Sequence, residues 1–239
     1  KFILPKADCI RAVSLRISDS ITANNYKLKT SPAVLPISID TEKIINTTPV
    51  IDLHKKYPQF DRIILMASRL TKEKNIGLAI DAMGEIVKKY PKTGLVIVGD
   101  GPEREALKLY AIRHTLYATN IIFEGWQNDL ISYYKTADLF LNTSNYEGYG
   151  LTLAEAAISS CPIVTTDIGI ASELQKSGAN ILVCPVGDKD CLTESISRTP
   201  SSLGGAKPSL IPPTSLSEPN KGEYLKKYAE SWQKCQNLI

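Results

Sequence analysis

The feature that most constrains the fold is an alternation of short apolar runs and helical periods over residues 61–184. Continuous apolar runs, such as 62–67 and 95–98, are typical of strands that are buried on both faces. Between the runs, as over 76–87, apolar residues recur at the spacing of an amphipathic helix. The alternation predicts βαβ units, and therefore an α/β fold with a Rossmann-like parallel sheet and helices on both faces.

Changes in composition divide the chain around this core. We assign 61–196 to the Rossmann-like domain and interpret 1–60 as a segment that leads into it, with connector over 41–60. Residues 197–222 are rich in Ser, Pro and Gly and are predicted to be a loose linker. Residues 223–239 are predicted to form a C-terminal helix with one apolar face. The chain does not begin with Met, and we interpret its start as a cut inside a longer protein.

Charge and residue types exclude several classes of protein. Twenty-eight basic against twenty-five acidic residues give a net charge of +3, so no nucleic-acid partner is expected. No apolar run approaches the roughly 18 to 20 residues of a membrane span. The five cysteines are scattered without CxxC spacing, which favours reduced thiols in a cytoplasmic protein and no metal site. His54 and His114 are the chain's two histidines, and no partners for a triad or a zinc site are evident in the sequence.

The strongest candidate site runs from Asn145 to Glu155, after a predicted strand and into a predicted helix. Gly148 and Gly150 would let the backbone approach a ligand closely, and the N–H groups at the helix start would bind an anion. Glu155 could accept two hydrogen bonds from a ribose diol, while Glu147 could reach hydroxyls on the other side of a phosphate. This pattern suits a sugar joined to a nucleoside through a diphosphate. The alternative is a glycine turn with two solvated glutamates.

A second candidate segment follows the first buried strand. Arg69 and Lys74 flank a tight connection into a helix, where two cations could hold a diphosphate and neutralise a leaving group. The alternative is a solvated, charged loop.

Two further segments could contact a nucleotide base. Gly99 and Gly101 form a turn after the second buried strand, and Trp126 follows the third. The turn lacks the third glycine of the dinucleotide fingerprint, so a structural role is an equal alternative. Trp126 could equally be an edge residue of the core.

Taken together and in this order, the pieces over about 33–175 resemble the donor-binding half of a GT-B glycosyltransferase of the large retaining family 4, also called group 1. One departure is Ser68, which stands where the family usually has glycine. The matching motifs are Val34-Leu35-Pro36 with Asp40, Ser68-Arg69-Leu70 with Lys74-Asn75, Val98-Gly99-Asp100-Gly101-Pro102, the E-x7-E motif from Glu147 to Glu155, and Thr166 with Gly169 and Glu173.

The resemblance implies a role for each matching residue. Arg69 and Lys74 would hold the diphosphate and stabilise the departing nucleotide without an essential metal. Glu147 would bind hydroxyls of the donor sugar, and Glu155 would bind the ribose. The backbone that would bind phosphate or sugar is that of Gly148, Tyr149, Gly150, Leu151 and Thr152.

The resemblance also implies an activity, namely transfer of a hexose with retention in polysaccharide biosynthesis. The donor would be a UDP- or GDP-linked sugar, and the acceptor a glycan or lipid-linked molecule bound by a missing N-terminal domain. Residues 1–60 would then be the interdomain segment and the tail of that domain. The full-length protein would be cytoplasmic or peripheral to a membrane, and this chain alone would be incomplete for catalysis. The alternatives are a non-catalytic nucleotide-sugar binding module and a sugar-nucleotide epimerase of the same architecture.

Overall fold

A computed structural model of the chain describes residues 4–24, 26–199 and 221–236. It confirms the predicted class, since parallel strands alternate with helices from Arg62 onwards. The strands are β1 (Arg11–Ala12), β2 (Ala33–Val34), β3 (Arg62–Ala67), β4 (Thr93–Val98), β5 (Ile121–Gly125), β6 (Leu139–Asn142), β7 (Ile163–Thr166) and β8 (Ile181–Cys184). The helices are α1 (Leu15–Ala23), α2 (Thr41–Asn46), α3 (Leu53–Lys56), α4 (Ile76–Lys89), α5 (Arg104–His114), α6 (Leu130–Thr136), α7 (Leu151–Ile158), α8 (Ala171–Lys176), α9 (Lys189–Arg198) and α10 (Lys221–Gln236).

The main sheet has six parallel strands in the order β5-β4-β3-β6-β7-β8. The chain builds outwards from β3 to β5 and then crosses back, so that β6 pairs with the other side of β3. The strand order therefore reverses between β3 and β6, where Ile64 lies opposite Leu139. In open parallel sheets, ligands bind beyond the carboxyl ends of the strands at such a reversal.

Both faces of the sheet are covered, which explains why its central strands read as continuous apolar runs. Along β3, Ile63 and Leu65 pack against residues of α3, α6 and α7. Ile64 and Met66 face the other way and pack against α4 and α9. Because burial of each such side chain stabilises the fold by about 1.5–3 kcal/mol, the register of β3 is strongly fixed.

The segment that precedes the sheet is more regular than the sequence indicates. Asp40 caps α2 by accepting the Lys43 N–H at 2.9 Å, and Asp52 caps α3. Ile44 and Leu53 on these helices are buried in the core. The interpretation of 41–60 as connector is therefore wrong, because helices of four to six residues are too short to show a period in the sequence.

Both ends of the described chain lie outside the main sheet. β1 and β2 form a separate parallel pair, and the Arg11 guanidinium lies 4.5 Å above the Tyr228 ring of α10. The predicted C-terminal helix is present as α10, on which Leu225 is 54% exposed. Most of the predicted linker, over 200–220, lies outside the described residues, as do 237–239.

The cysteines overturn one expectation. Cys184 ends β8 and Cys191 lies in the first turn of α9, and the two form a disulfide with their Cα atoms 5.8 Å apart. Reduced thiols were expected, and this expectation is wrong for the pair because the sequence does not reveal that the chain doubles back between them. Cys161 is buried, with its thiol 3.9 Å from the Ala137 carbonyl oxygen.

Candidate functional site

The carboxyl ends of β3 and β6 lie side by side at the strand-order reversal, and the loops that follow them form the candidate site. We call the space between loop 68–75 and loop 143–150 the crevice. The Asn145 N–H donates to the Glu73 carbonyl oxygen at 2.8 Å, which holds the loops together. The two candidate segments that carry cations and glutamates are therefore adjacent in the fold.

Lys74 and Glu147 form an ion pair in the crevice. The Lys74 Nζ contacts the Glu147 Oε1, and the two side chains are only 12% and 16% exposed. The Ser144 hydroxyl donates to the same carboxylate oxygen at 3.0 Å. Because the pair is largely withdrawn from water, each charge requires the other or a ligand in its place. Together they can offer a cation to a phosphate oxygen and an acceptor to a sugar hydroxyl.

Arg69 lies on the same loop as Lys74 but is not held in place. Its side chain is 74% exposed, and its Nη2 is 4.0 Å from a Glu73 carboxylate oxygen. An exposed ion pair of this kind contributes about 0–1 kcal/mol. The Arg69 guanidinium can therefore turn towards an anion at little cost.

The loop before α7 combines open backbone with a helix N-terminus. Gly150 caps the helix with a φ of +90°, and at Gly148 an added Cβ would meet no atom within 4 Å. Tyr149 between them is buried, while Leu151 is exposed and Thr152 half-buried on the first turn of α7. The N–H groups of a first helical turn have no partners within the helix, and the helix dipole favours an anion there.

Glu155 lies one turn into α7 and is half-buried. Burial raises the pKa of its carboxyl, and a hydrogen bond from the Tyr134 hydroxyl to Oε2, at 3.0 Å, only partly opposes that shift. Tyr134 is completely buried. Among the described residues, this is the one hydrogen bond that the carboxylate accepts, so it retains capacity to accept others from a ligand.

Close packing against the loop after β3 explains why glycines follow β4. Gly99 has a φ of +131°, and a Cβ there would lie 1.9 Å from the Ser68 carbonyl oxygen. A Cβ on Gly101 would lie 2.4 Å from the Leu70 carbonyl oxygen. The loop after β4 thus passes against the loop after β3, and its contact with a nucleotide stays a prediction. Trp126, after β5, is 70% exposed and so does not belong to the core.

Sequence reasoning missed the contacts that support the loop before α7. The Ser14 hydroxyl donates to the Gly148 carbonyl oxygen at 2.9 Å. In the loop after β7, a Cβ on Gly169 would lie 2.2 Å from the Tyr149 carbonyl oxygen. A serine ahead of a helical period is an N-cap signal. No pattern in the sequence shows that this cap reaches a loop 134 residues away.

The histidine with a carboxylate partner lies away from the crevice. The His54 Nε2 is 3.1 Å from the buried carboxylate of Asp138, at the amino end of β6. This pairing was not evident in the sequence, because the two residues are far apart along the chain. Within the described ranges, no group of three or more His, Cys, Asp or Glu side chains is placed to hold a metal ion. The helices in those ranges include none that is long and apolar enough to cross a bilayer.

Comparison with known proteins places this arrangement among transferases of sugars. Residues 52–200 match the family profile described as glycosyl transferases group 1. The chain is 33% identical over 119 residues to an alpha-monoglucosyldiacylglycerol synthase of Acholeplasma laidlawii. That match covers 49% of this chain and 30% of the relative, so this chain spans less than a third of the relative's length.

Solved structures share the fold. The apo lipopolysaccharide outer core galactosyltransferase WaaB superposes with a TM-score of 0.71 at 22% identity, over 95% of this chain and 62% of that one. Anabaena HepE in complex with UDP and glucose superposes with a TM-score of 0.68 at 23% identity, over 80% of this chain and 53% of that one.

Proposed function

This chain belongs to the group 1 glycosyltransferases, and we propose that it forms the donor-binding half of a retaining hexosyltransferase that uses a nucleotide sugar. The observation that carries the proposal is the pairing of Lys74 with Glu147 at the strand-order reversal. A largely desolvated cation and carboxylate stand there beside open glycine backbone and a helix N-terminus. A sugar diphosphate supplies a matching partner for each of these groups.

The chemistry follows from where charge develops. In the transfer, an acceptor hydroxyl oxygen would form the new bond to the sugar C1 as the bond between C1 and the phosphate oxygen breaks. The nucleoside diphosphate would leave with the electron pair and take the hydroxyl proton. Lys74 and the exposed guanidinium of Arg69 would neutralise that charge, and backbone N–H groups over 148–152 would bind phosphate or sugar oxygens. Since these groups supply the positive charge, we propose that the step needs no essential metal ion. Glu147 would bind hydroxyls of the sugar.

The nucleoside would lie beyond the diphosphate. We propose that Glu155 accepts hydrogen bonds from the ribose diol and that Gly99, Gly101 and Trp126 lie towards the base. UDP is the first nucleotide to test, because a structure of the same fold, that of HepE, was solved with UDP.

The acceptor would be bound by a part of the protein outside this chain. The name of the Acholeplasma relative refers to a glycolipid, which supports a glycan or lipid-linked acceptor. We propose that the full protein works in the cytoplasm or at a membrane surface, in polysaccharide or glycolipid synthesis.

The experiment that tests the proposal is a thermal denaturation series of the chain with UDP, GDP and ADP, each with and without EDTA. A ligand at 100 times its dissociation constant stabilises the native state by about 2.7 kcal/mol. We expect stabilisation by UDP that EDTA does not change. Stabilisation by none of the three nucleotides would contradict the proposal, and stabilisation that EDTA abolishes would contradict its metal independence.

Charge reversal at Arg69 tests its assignment separately. Arg69→Glu should weaken binding of UDP far more than binding of uridine, because only UDP carries the diphosphate. An equal loss for both ligands would show that Arg69 supports the fold of its loop instead.

A further inference from the structure

The first turn of α1 contacts the crevice loop after β6 and also the neighbouring loop after β7. The buried Ser14 hydroxyl donates to the Gly148 carbonyl oxygen at 2.9 Å and accepts the Ile17 N–H at 3.3 Å. The Arg16 Nε donates to the Gly169 carbonyl oxygen at 3.2 Å. A single helical turn, early in the chain, therefore binds two backbone carbonyls in the loops after β6 and β7.

The bond from Ser14 fixes one peptide unit of the loop before α7. The carbonyl of Gly148 and the N–H of Tyr149 belong to the same planar, trans peptide unit, so they point in opposite directions. Because Ser14 holds the carbonyl, it also aims the Tyr149 N–H away from α1.

The bond from Arg16 fixes the next peptide unit of the loop before α7 indirectly, through a hydrogen bond made by the loop after β7. Arg16 holds the Gly169 carbonyl, whose peptide unit carries the Ile170 N–H on its other side. That N–H donates to the Tyr149 carbonyl oxygen at 2.9 Å. The Tyr149 carbonyl in turn shares a planar unit with the Gly150 N–H, which therefore points away from the loop after β7.

Arg16 is itself held by two side chains, Asp167 in the loop after β7 and Ser172 on α8. Its Nη2 contacts the Asp167 carboxylate and donates to the Ser172 hydroxyl at 3.3 Å. Ser172 donates in turn to Asp167 at 2.8 Å, and the neighbouring Leu15 N–H donates to the Glu173 carboxylate at 3.1 Å. A charged donor in such a chain of hydrogen bonds strengthens the bonds that follow it.

We propose that Ser14 and Arg16 are positioning residues for donor binding, because they aim the successive N–H groups of Tyr149 and Gly150 that precede α7. The inference rests on the proposed function, in which this backbone binds phosphate or sugar oxygens. Preorganised backbone donors bind an anion without the cost of ordering the loop at the moment of binding.

The test uses the whole 239-residue chain. Ser14→Ala removes the hydroxyl, and Ser14→Thr keeps one. Arg16→Ala removes the bond to the Gly169 carbonyl oxygen. Asp188→Ala is the matched control, because it removes a helix cap at α9, where Asp188 accepts the Cys191 N–H at 2.9 Å. Two quantities are measured: hydrogen exchange of the Ile170 amide, which donates to the Tyr149 carbonyl oxygen, in the absence of ligand, and the dissociation constants of UDP and uridine.

We expect Ser14→Ala to accelerate exchange of this amide and to weaken UDP binding about tenfold, the effect of one lost hydrogen bond, with uridine binding unchanged. Ser14→Thr should restore both, Arg16→Ala should act in the same direction as Ser14→Ala, and Asp188→Ala should change neither. Unchanged exchange in Ser14→Ala and Arg16→Ala, or faster exchange with unchanged UDP affinity, would overturn the inference. If the wild-type chain binds no nucleoside diphosphate, the proposed function fails first and the inference falls with it.

Discussion

Two glutamates of this chain have opposite surroundings. Glu124, on β5, is 4% exposed and accepts hydrogen bonds from the Lys56 ammonium and the Tyr133 hydroxyl, both at 2.6 Å, and from the Tyr57 hydroxyl. Burial would raise the pKa of Glu124, but the bonds from Lys56, Tyr133 and Tyr57 outweigh that effect and lower it. For Glu155 the balance is reversed, because burial outweighs the bond from Tyr134 and the pKa rises.

The difference separates a structural carboxylate from one that can receive a ligand. Glu124 has its acceptor positions filled from within the fold, so its charge stabilises the packing of α3 and α6 on β5. Glu155 is partly buried, accepts a hydrogen bond from one protein donor among the described residues, and lies in the helix that starts at the crevice. The cost of its burial is offset only when further donors arrive, and a ribose diol supplies two.

The largest expected effect comes from neutralising the structural carboxylate. Glu124→Gln should lower the free energy of unfolding by about 2–3 kcal/mol, since hydrogen bonds to a charged group contribute about 1.5–3 kcal/mol and the amide places an N–H against donors. Urea denaturation measures the change, and UDP affinity should stay within about twofold. A decrease in the free energy of unfolding of less than about 0.5 kcal/mol would contradict the structural role of Glu124.

The matched change at Glu155 should have the opposite profile. Glu155→Gln should not lower the free energy of unfolding, because the amide oxygen still accepts from Tyr134 and the buried charge is removed. It should weaken UDP binding about tenfold, since charge-assisted bonds to the ribose are lost. Calorimetric titration measures the affinity, and a destabilised protein with normal UDP affinity would instead make Glu155 a structural residue.

The smallest effect is a difference in pH dependence. Both carboxyls have an ordinary pKa of 4.5. The lowered pKa of Glu124 means that its contribution to stability is present above pH 4.5 and is lost as the pH falls through the folded-state pKa. The raised pKa of Glu155 means that stability is greatest when it is protonated, and is lost as the pH rises through a folded-state pKa above 4.5.

Unfolding free energies of the wild type and the two glutamine variants between pH 3 and 7 check these signs. Relative to Glu124→Gln, the wild type should lose its advantage only below about pH 4.5. Relative to Glu155→Gln, the wild type should become less stable as the pH rises above about 4.5. Parallel curves for the two variants would contradict the assignment of opposite pKa shifts.

The sequence predicts the sheet and the crevice loops because both follow from local patterns. Continuous apolar runs mark doubly buried strands, and residues just beyond them must lie at the carboxyl edge of a parallel sheet. Lys74 and Glu147 could therefore be placed at one edge, although not in contact. Their contact depends on the pairing of β6 with β3. That pairing follows from the strand order of the whole sheet, which no single segment of the sequence reveals.

The parts that could not be predicted depend on contacts between distant segments. The donors to Glu124 come from the end of α3 and from α6, and the sequence does not show that both reach β5. Tyr134 is one of three neighbouring buried residues of α6. The first turn of α1 carries an ordinary N-cap signal, and only the folded chain shows that it reaches Gly148. α9 was missed because Leu192 and Ile196 are the two buried apolar residues of a polar helix, too few to reveal a period.

The most direct test of the central claim compares UDP with 2′-deoxyuridine diphosphate on the wild type and on Glu155→Ala. If Glu155 binds the ribose diol, the wild type should prefer UDP by about tenfold, the value of one hydrogen bond to a charged group, and the variant should bind both nucleotides equally. A variant that keeps the full preference for UDP would show that another group binds the ribose. That result would contradict the assignment of this crevice to a nucleotide-sugar donor through Glu155.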